Sequence, residues 1–384
     1  MLIHSKLPNI GTTIFTVMTA LAETHKAINL AQGFPDFPSS PHLIELVNQY
    51  MRKGFNQYAP MPGLPLLRER IAEKISALYG IAVDPGTEIT ITAGGTQALF
   101  TAITAFIHPG DEVIILEPAY DSYRPAIELA GGTVKAYELS PPHYRPDWEQ
   151  LKKLISMHTK MIIINTPHNP TGTILQHDDM LRLEQLLQGT DILVLSDEVY
   201  EHLVFDAQAH HSILRYPGLR ERGIAVFSFG KTFHNTGWKI GYCVAPQPLN
   251  VEFRKVHQFN VFSVNTPIQY ALAEFLSDPF EYLGLGTFYH HKRDFFLDVL
   301  ENSPFRPLPC AGTYFLLCDY SAISDEPDTD FARRLTAEYG VAAVPVSAFY
   351  NSQRDERLLR FCFAKQEQTL ERAGERLSRI PLHA

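Results

Sequence analysis

One lysine in this chain stands where a lysine can act as a nucleophile. The run Val226-Phe227-Ser228-Phe229-Gly230-Lys231-Thr232 carries an apolar strand, expected over 223–229, straight into Lys231. Gly230 permits a sharp turn there, so the amine emerges at the strand's end, where desolvation lowers the pKa of an ammonium. A deprotonated amine is what imine chemistry requires. A strand-end lysine is also a common solvated residue, so the meaning of Lys231 depends on what else reaches the same place.

Four further strand tips supply partners. The strand over 88–92 ends in Ala93-Gly94-Gly95-Thr96-Gln97, which opens a helix with Leu99, Phe100, Ile103 and Phe106 on its apolar positions. Free amides at such a helix start attract an anion, the Thr96 hydroxyl adds a donor, and Ser228 and Lys239 supply a second hydroxyl and a cation. The strand over 191–196 delivers Asp197, a carboxylate that is costly to bury unless a positive or protonated group faces it. Tyr200 follows three residues later, Asn169 comes from the tip after 161–165, and Tyr120 from the tip after 112–116. Each has an ordinary reading alone: a cap for Asp197, a turn for Asn169, core for Tyr200, surface for Lys239. A phosphate cradle, a carboxylate for a ring nitrogen, phenol and amide donors and a lysine nucleophile are together the set that pyridoxal phosphate requires.

The elements that position these residues are short apolar strands alternating with helical patterns, the mark of an α/β sheet with mostly parallel strands. Ligands of such sheets bind beyond the carboxyl ends of the strands, which gives the five tips one crevice. After about residue 275 a helical stretch near 289–300 and strand-like runs at 313–318 and 358–363 point to a smaller α+β domain. The first forty residues read as proline-marked and mostly extended, with Gly33-Phe34-Pro35-Asp36-Phe37-Pro38 too rich in breakers for a regular element.

Composition excludes several classes. The 384 residues are 45% hydrophobic, enough for a large core, and the net charge is -9 with no basic stripe for a nucleic acid. No apolar run approaches the ~18 residues that span a bilayer, and residues 1–13 lack a signal pattern, which places the expected protein in the cytoplasm. Cys243, Cys310, Cys318 and Cys362 read as reduced core thiols, and the pairs His210-His211 and His290-His291 as solvated surface rather than a zinc site; no metal is expected.

With these motifs in place the chain resembles the class I aminotransferases of the aspartate-aminotransferase fold type, and more narrowly the bacterial methionine and the kynurenine/glutamine types. The resemblance runs nearly end to end. It is carried by the segments Asn29-Leu30-Ala31-Gln32-Gly33-Phe34-Pro35, Asn56-Gln57-Tyr58-Ala59-Pro60, Ala93-Gly94-Gly95-Thr96-Gln97, Asn165-Thr166-Pro167-His168-Asn169-Pro170-Thr171-Gly172, Ser196-Asp197-Glu198-Val199-Tyr200, Ser228-Phe229-Gly230-Lys231 and Arg360-Phe361-Cys362-Phe363. It implies a large domain over 43–275 with a mostly parallel seven-stranded sheet, an N-terminal arm over 1–26, and a small domain built from 27–42 and 276–384.

By that resemblance Lys231 holds pyridoxal 5'-phosphate as an imine and shuttles the Cα proton, Asp197 faces the ring nitrogen, Asn169 and Tyr200 bond the ring oxygen, and Tyr120 stacks on its face. Gly95, Thr96, Gln97, Ser228 and Lys239 surround the phosphate, and Tyr58 reaches it from the partner of a two-fold homodimer. Arg360 forks the substrate α-carboxylate, with Gly33, Asn169 and Phe15 also lining the substrate. Two departures stand out: many relatives carry arginine where Lys239 stands, and kynurenine types carry tryptophan where Phe15 aligns. The implied activity is transamination of an amino acid, methionine first, with aromatic amino acids, histidine or glutamine behind it, to a 2-oxo acid by a ping-pong cycle.

Three other readings compete. β-Elimination from a cysteine conjugate uses the same cofactor and residues. Ser228-Phe229-Gly230-Lys231 also fits S-x-x-K, the acyl-serine pattern, but the leading strand argues against the required helix start, and S-D-N and K-T-G partners are missing. A transcription regulator with an aminotransferase-like domain requires a helix-turn-helix module, for which the thirty-odd residues before Gln32 are too few.

Overall fold

The computed structural model describes residues 4–382, so residues 1–3 of the expected arm and 383–384 of the expected small domain lie outside it. Seven strands form one sheet. They are β1 (Ile89–Thr92), β2 (Glu112–Glu117), β3 (Thr133–Glu138), β4 (Thr159–Asn165), β5 (Leu193–Asp197), β6 (Gly223–Ser228) and β7 (Gly241–Val244). Their spatial order is β1-β7-β6-β5-β4-β2-β3. Strand β7 runs antiparallel to β1 and β6, and the other neighbours are parallel.

The parallel strands read as unbroken apolar runs because helices cover both faces. Alternate residues of one strand serve opposite layers. Ile163 of β4 and Leu195 of β5 join Leu99, Ile103 and Phe106 of the helix Gly95–Phe106, whereas Ile162, Ile164 and Val194 pack with Leu67, Ile71 and Ile75 of the helix Pro65–Tyr79. Each such aliphatic side chain contributes roughly 1.5–3 kcal/mol on burial. This two-sided burial fixes where the strand tips lie.

A second, antiparallel sheet orders Val344–Pro345, Leu358–Cys362, Phe315–Asp319 and Arg306–Pro307. Arg360 sits in its middle, opposite Leu317 on one side and Val344 on the other. The N-terminal segment is tied to this region: Ile28–Asn29 pairs in parallel with Val341–Ala342, and the Cys362 amide donates to the Leu30 carbonyl at 2.8 Å.

Several expectations need correction. The first forty residues are not mostly extended, because Ile14–His25 is a helix, started by Thr13 accepting from the Thr16 amide and free of proline and glycine. Strand β6 ends at Ser228, and Phe229–Thr232 is a single helical turn, so Gly230 supplies closeness rather than a left-handed bend; a Cβ there would stand 3.1 Å from the Thr236 Cα. Ser228 and Lys231 therefore do lie one turn apart at a helix start, which removes the strand argument against the acyl-serine pattern. His210 and His211 are not solvated surface: His210 Nε2 lies 2.8 Å from the carboxylate of buried Glu198, and half-buried His211 meets the Tyr216 hydroxyl at 3.0 Å. Strands β3 and β7 were absent from the strand reading, β3 because its edge position leaves a mixed polar sequence and β7 because it is short.

All four cysteines are buried free thiols. Among the described residues no helix is long and apolar enough to cross a membrane, and no group of three or more His, Cys, Asp or Glu residues is arranged to hold a metal.

Candidate active site

The five tips meet in one cleft of about 210 Å³, lined among others by Gly95, Thr96, Tyr120, Asn169, Asp197, Tyr200, Ser228, Lys231, Lys239, Gly33, Phe15 and Arg360. Two expected residues do not line it. The Gln97 side chain turns back, its oxygen accepting from the Ala93 amide at 2.9 Å and its nitrogen meeting Thr101 at 2.6 Å and His257 at 3.2 Å, so it braces the helix start instead of facing the cleft. Tyr58 is 82% exposed and packs edge-on against Phe262, away from the cleft of its own chain.

Lys231 is held at the junction of two layers. Its Nζ donates to the Tyr314 hydroxyl at 2.8 Å and to the Gly33 carbonyl at 3.1 Å. Burial first, with Arg360 and Lys239 adding positive charge nearby, brings its pKa down from 10.5 to about 8. That leaves a useful fraction of free amine near neutrality.

Asp197 closes β5 and is 4% exposed. The Tyr123 hydroxyl donates to its Oδ2 at 2.6 Å. Burial still outweighs this bond and lifts the carboxyl to about 6. The Val199 amide donates to Oδ1 at 3.4 Å. A buried carboxylate with two neutral donors and no paired cation is incomplete, and a protonated ring nitrogen would complete it. Tyr123 escaped the sequence reading because a tyrosine on the buried side of a short helix looks like core.

Residues 197–201 alternate between two environments. Asp197 and Tyr200 face the cleft, while Glu198 and Glu201 face away into a buried polar layer. Glu198 accepts from Ser196 at 2.8 Å and from the Ile213 amide at 3.0 Å. Glu201 pairs with Lys74 and accepts from Tyr79 and Tyr242. Lys74 and Glu201 are both nearly inaccessible, so this pair anchors the turn that presents Tyr200.

The anion end fits a phosphate. The helix Gly95–Phe106 has no side-chain cap, so its first amides remain free beside the Thr96 hydroxyl, which lies 3.2 Å from that of Tyr120. Ser228 stands at the N-cap position of the opposite turn with no side-chain capping bond, and the Lys239 stem packs by Gly94, where a Cβ would stand 3.6 Å from the lysine Cε. Lys239 takes a left-handed backbone conformation with φ 52°, which aims it back at this helix start.

Arg360 is wholly buried. It donates to the Asn169 side chain at 2.8 Å and to the Ala31 carbonyl at 3.0 Å, stacks 3.9 Å over the Phe315 ring, and leaves Nε unpartnered. Burial draws it down to about 10. A buried guanidinium with an unpartnered donor is suited to receive a carboxylate.

A seven-stranded, mostly parallel sheet with a lysine one helical turn beyond its third strand, sharing a cleft with a buried arginine, is an arrangement that suits an enzyme of the transaminase class. The chain matches the family model "aminotransferase class I and II" over residues 25–377 and belongs to that family. It is 54% identical over 378 residues to the methionine aminotransferase of Escherichia coli K12, covering 98% of each chain. The human kynurenine–oxoglutarate transaminase 1 is 33% identical over 93% of each chain. The crystal structure of Escherichia coli YbdL, described as having a methionine aminotransferase function, superposes with a TM-score of 0.97 at 53% identity over 99% of this chain and 100% of that one. The protein is an aminotransferase with the aspartate-aminotransferase-like fold.

Proposed function

We propose that this aminotransferase uses pyridoxal 5'-phosphate to move the amino group of methionine to a 2-oxo acid in two half-reactions. The observation that carries the reading is the meeting, in one cleft, of a lysine amine of lowered pKa, a buried carboxylate without a cation and a buried guanidinium with a free donor. When bound, the cofactor supplies the electron sink for the Cα–H bond. The chain supplies the rest. Thr96, Ser228, Lys239 and the amides of Gly95 and Thr96 would hold the phosphate, Asp197 would keep the ring nitrogen protonated, and Asn169 and Tyr200 would bond the ring oxygen. Tyr120 would pack on the ring. Lys231 Nζ takes the Cα proton and returns it, and Arg360 fixes the substrate carboxylate so that this proton faces the amine.

Methionine preference is supported by the likeness to the Escherichia coli enzyme and by an apolar wall in which Phe15 and Phe349 lie 5.8 Å apart over the Arg360 guanidinium. Aromatic amino acids, histidine and glutamine are the secondary donors of this reading. The tests are a panel of twenty amino-acid donors with several oxo acids, and a Lys231→Ala variant. Aspartate outperforming methionine would overturn the donor assignment, and undiminished activity of Lys231→Ala would overturn the mechanism.

The working unit is proposed as a two-fold homodimer in the cytoplasm. Tyr58 and Phe262, exposed aromatics in edge-on contact, support an interface there, with Tyr58 reaching the phosphate of the partner. A large domain over 43–275, a small domain from 27–42 and 276–384, and an arm over 1–26 describe the division of the chain.

A further inference from the structure

Lys231 Nζ, Tyr314 Oη and the Gly33 carbonyl form a closed triangle with sides of 2.8, 3.1 and 2.6 Å. The short side is the phenol donating to the carbonyl, so the phenol proton is committed and its oxygen is left to accept from the lysine. A neutral amine has two N–H bonds and one lone pair. Both N–H bonds find acceptors here, and the lone pair is thereby turned away from Tyr314 and Gly33, toward the cleft. An ammonium would carry a third N–H, for which no acceptor lies within reach among the described residues.

We propose that Tyr314 is the positioning residue of the transamination reaction that aims the Lys231 lone pair at the substrate Cα proton. The inference rests on the reading of Lys231 as the proton carrier. The phenol itself does not exchange a proton with the lysine: burial raises its pKa well above the ordinary value, so it stays a donor to Gly33 throughout. Its ring is wholly buried, set edge-on to Tyr200 at 5.1 Å and tilted against Tyr289 at 5.8 Å, so packing holds the ring in place. Gly33 is fixed on the other side, since a Cβ there would meet the Phe315 ring at 2.8 Å.

Tyr314→Phe keeps the ring and removes only the acceptor. Two readouts separate aiming from packing. In the cofactor-free protein, labelling of Lys231 by an amine-directed acylating reagent is followed against pH; losing an acceptor that favours the ammonium should move the midpoint down by about half a unit or more. In the loaded enzyme, kcat with methionine should fall about tenfold or more while KM changes by less than about threefold, and the isotope effect with α-deuterated methionine should rise, because proton transfer becomes limiting. Tyr289→Phe is the packing control, as the Tyr289 hydroxyl has no hydrogen-bond partner among the described residues, and it should leave all four quantities unchanged. An unchanged midpoint and isotope effect in Tyr314→Phe, or the same changes in Tyr289→Phe, would overturn the proposal while leaving the role of Lys231 intact. Full activity of Lys231→Ala would instead remove the reading beneath it.

Discussion

The Arg360 guanidinium donates through Nη1 to the side-chain oxygen of Asn169 at 2.8 Å and stands in no ion pair. Asp121 attracts it only from a distance. The cation is thus held by neutral oxygens and an aromatic face, in a state that a substrate carboxylate improves. Arg360→Lys keeps the charge and loses the fork and the stacking plane. Losing about 3 kcal/mol of charged hydrogen bonding should lower kcat/KM for methionine by about a hundredfold, mostly through KM. Steady-state kinetics on the purified variant measure it, and a change under about threefold contradicts the assignment.

Asp197 gives a stability prediction with a definite sign. Its folded-state pKa, about 6, lies above the unfolded value of 3.8, so the cofactor-free native state binds more protons between those values and loses stability as pH rises through that window. A two-unit shift corresponds to roughly 3 kcal/mol. Cofactor-free Asp197→Asn should therefore gain up to about that much over the parent at pH 7.5 relative to pH 4, read from urea denaturation at the two pH values.

Among the described residues Tyr123 is the only side chain that hydrogen-bonds the Asp197 carboxylate, and its bond opposes the effect of burial. Tyr123→Phe should raise the carboxyl further, by about one unit for a bond worth about 1.4 kcal/mol. The expected readout is an acidic limb of the kcat/KM profile displaced upward by that amount, together with weaker retention of pyridoxal phosphate on dialysis. An acidic limb in its original place would show that Asp197 does not govern it.

Lys74 and Glu201 form a buried pair behind the turn that carries Tyr200. Lys74→Met strands a buried carboxylate and should cost about 3–5 kcal/mol of stability. The double variant Lys74→Met, Glu201→Gln removes both charges and should recover more than half of that. Denaturation midpoints of the three proteins decide it, and equal losses in the single and double variants would argue against an anchoring pair.

Much of the cleft was legible because its residues end apolar strands. Lys231, Asp197 and Asn169 are polar where the strand pattern stops, and the structure brings all three to one cleft. Tyr314 and Tyr123 gave no such signal, since a tyrosine whose hydroxyl does chemistry and one whose ring fills space look alike in a linear pattern. Their partners are 83 and 74 residues away. Gln97 misled in the opposite way: its place at a helix start suggested a phosphate contact, but the rotamer is decided by Ala93, Thr101 and His257. The helix Ile14–His25 was hidden because the prolines and glycines around it coloured a whole segment that they only bracket.

The pairing of Ile28–Asn29 with Val341–Ala342 also sets an order of assembly for a chain made from its amino end. Strands β1 to β7 can close their sheet with Lys231 and Asp197 in place while the last third is still unmade. Ala31 and Gly33, however, wait for Arg360 and Tyr314, which come some three hundred residues later. The half of the site proposed to hold the cofactor can therefore form before the half proposed to grip and aim at the amino acid, and Lys231 comes to share a cleft with Arg360 only when synthesis is nearly complete.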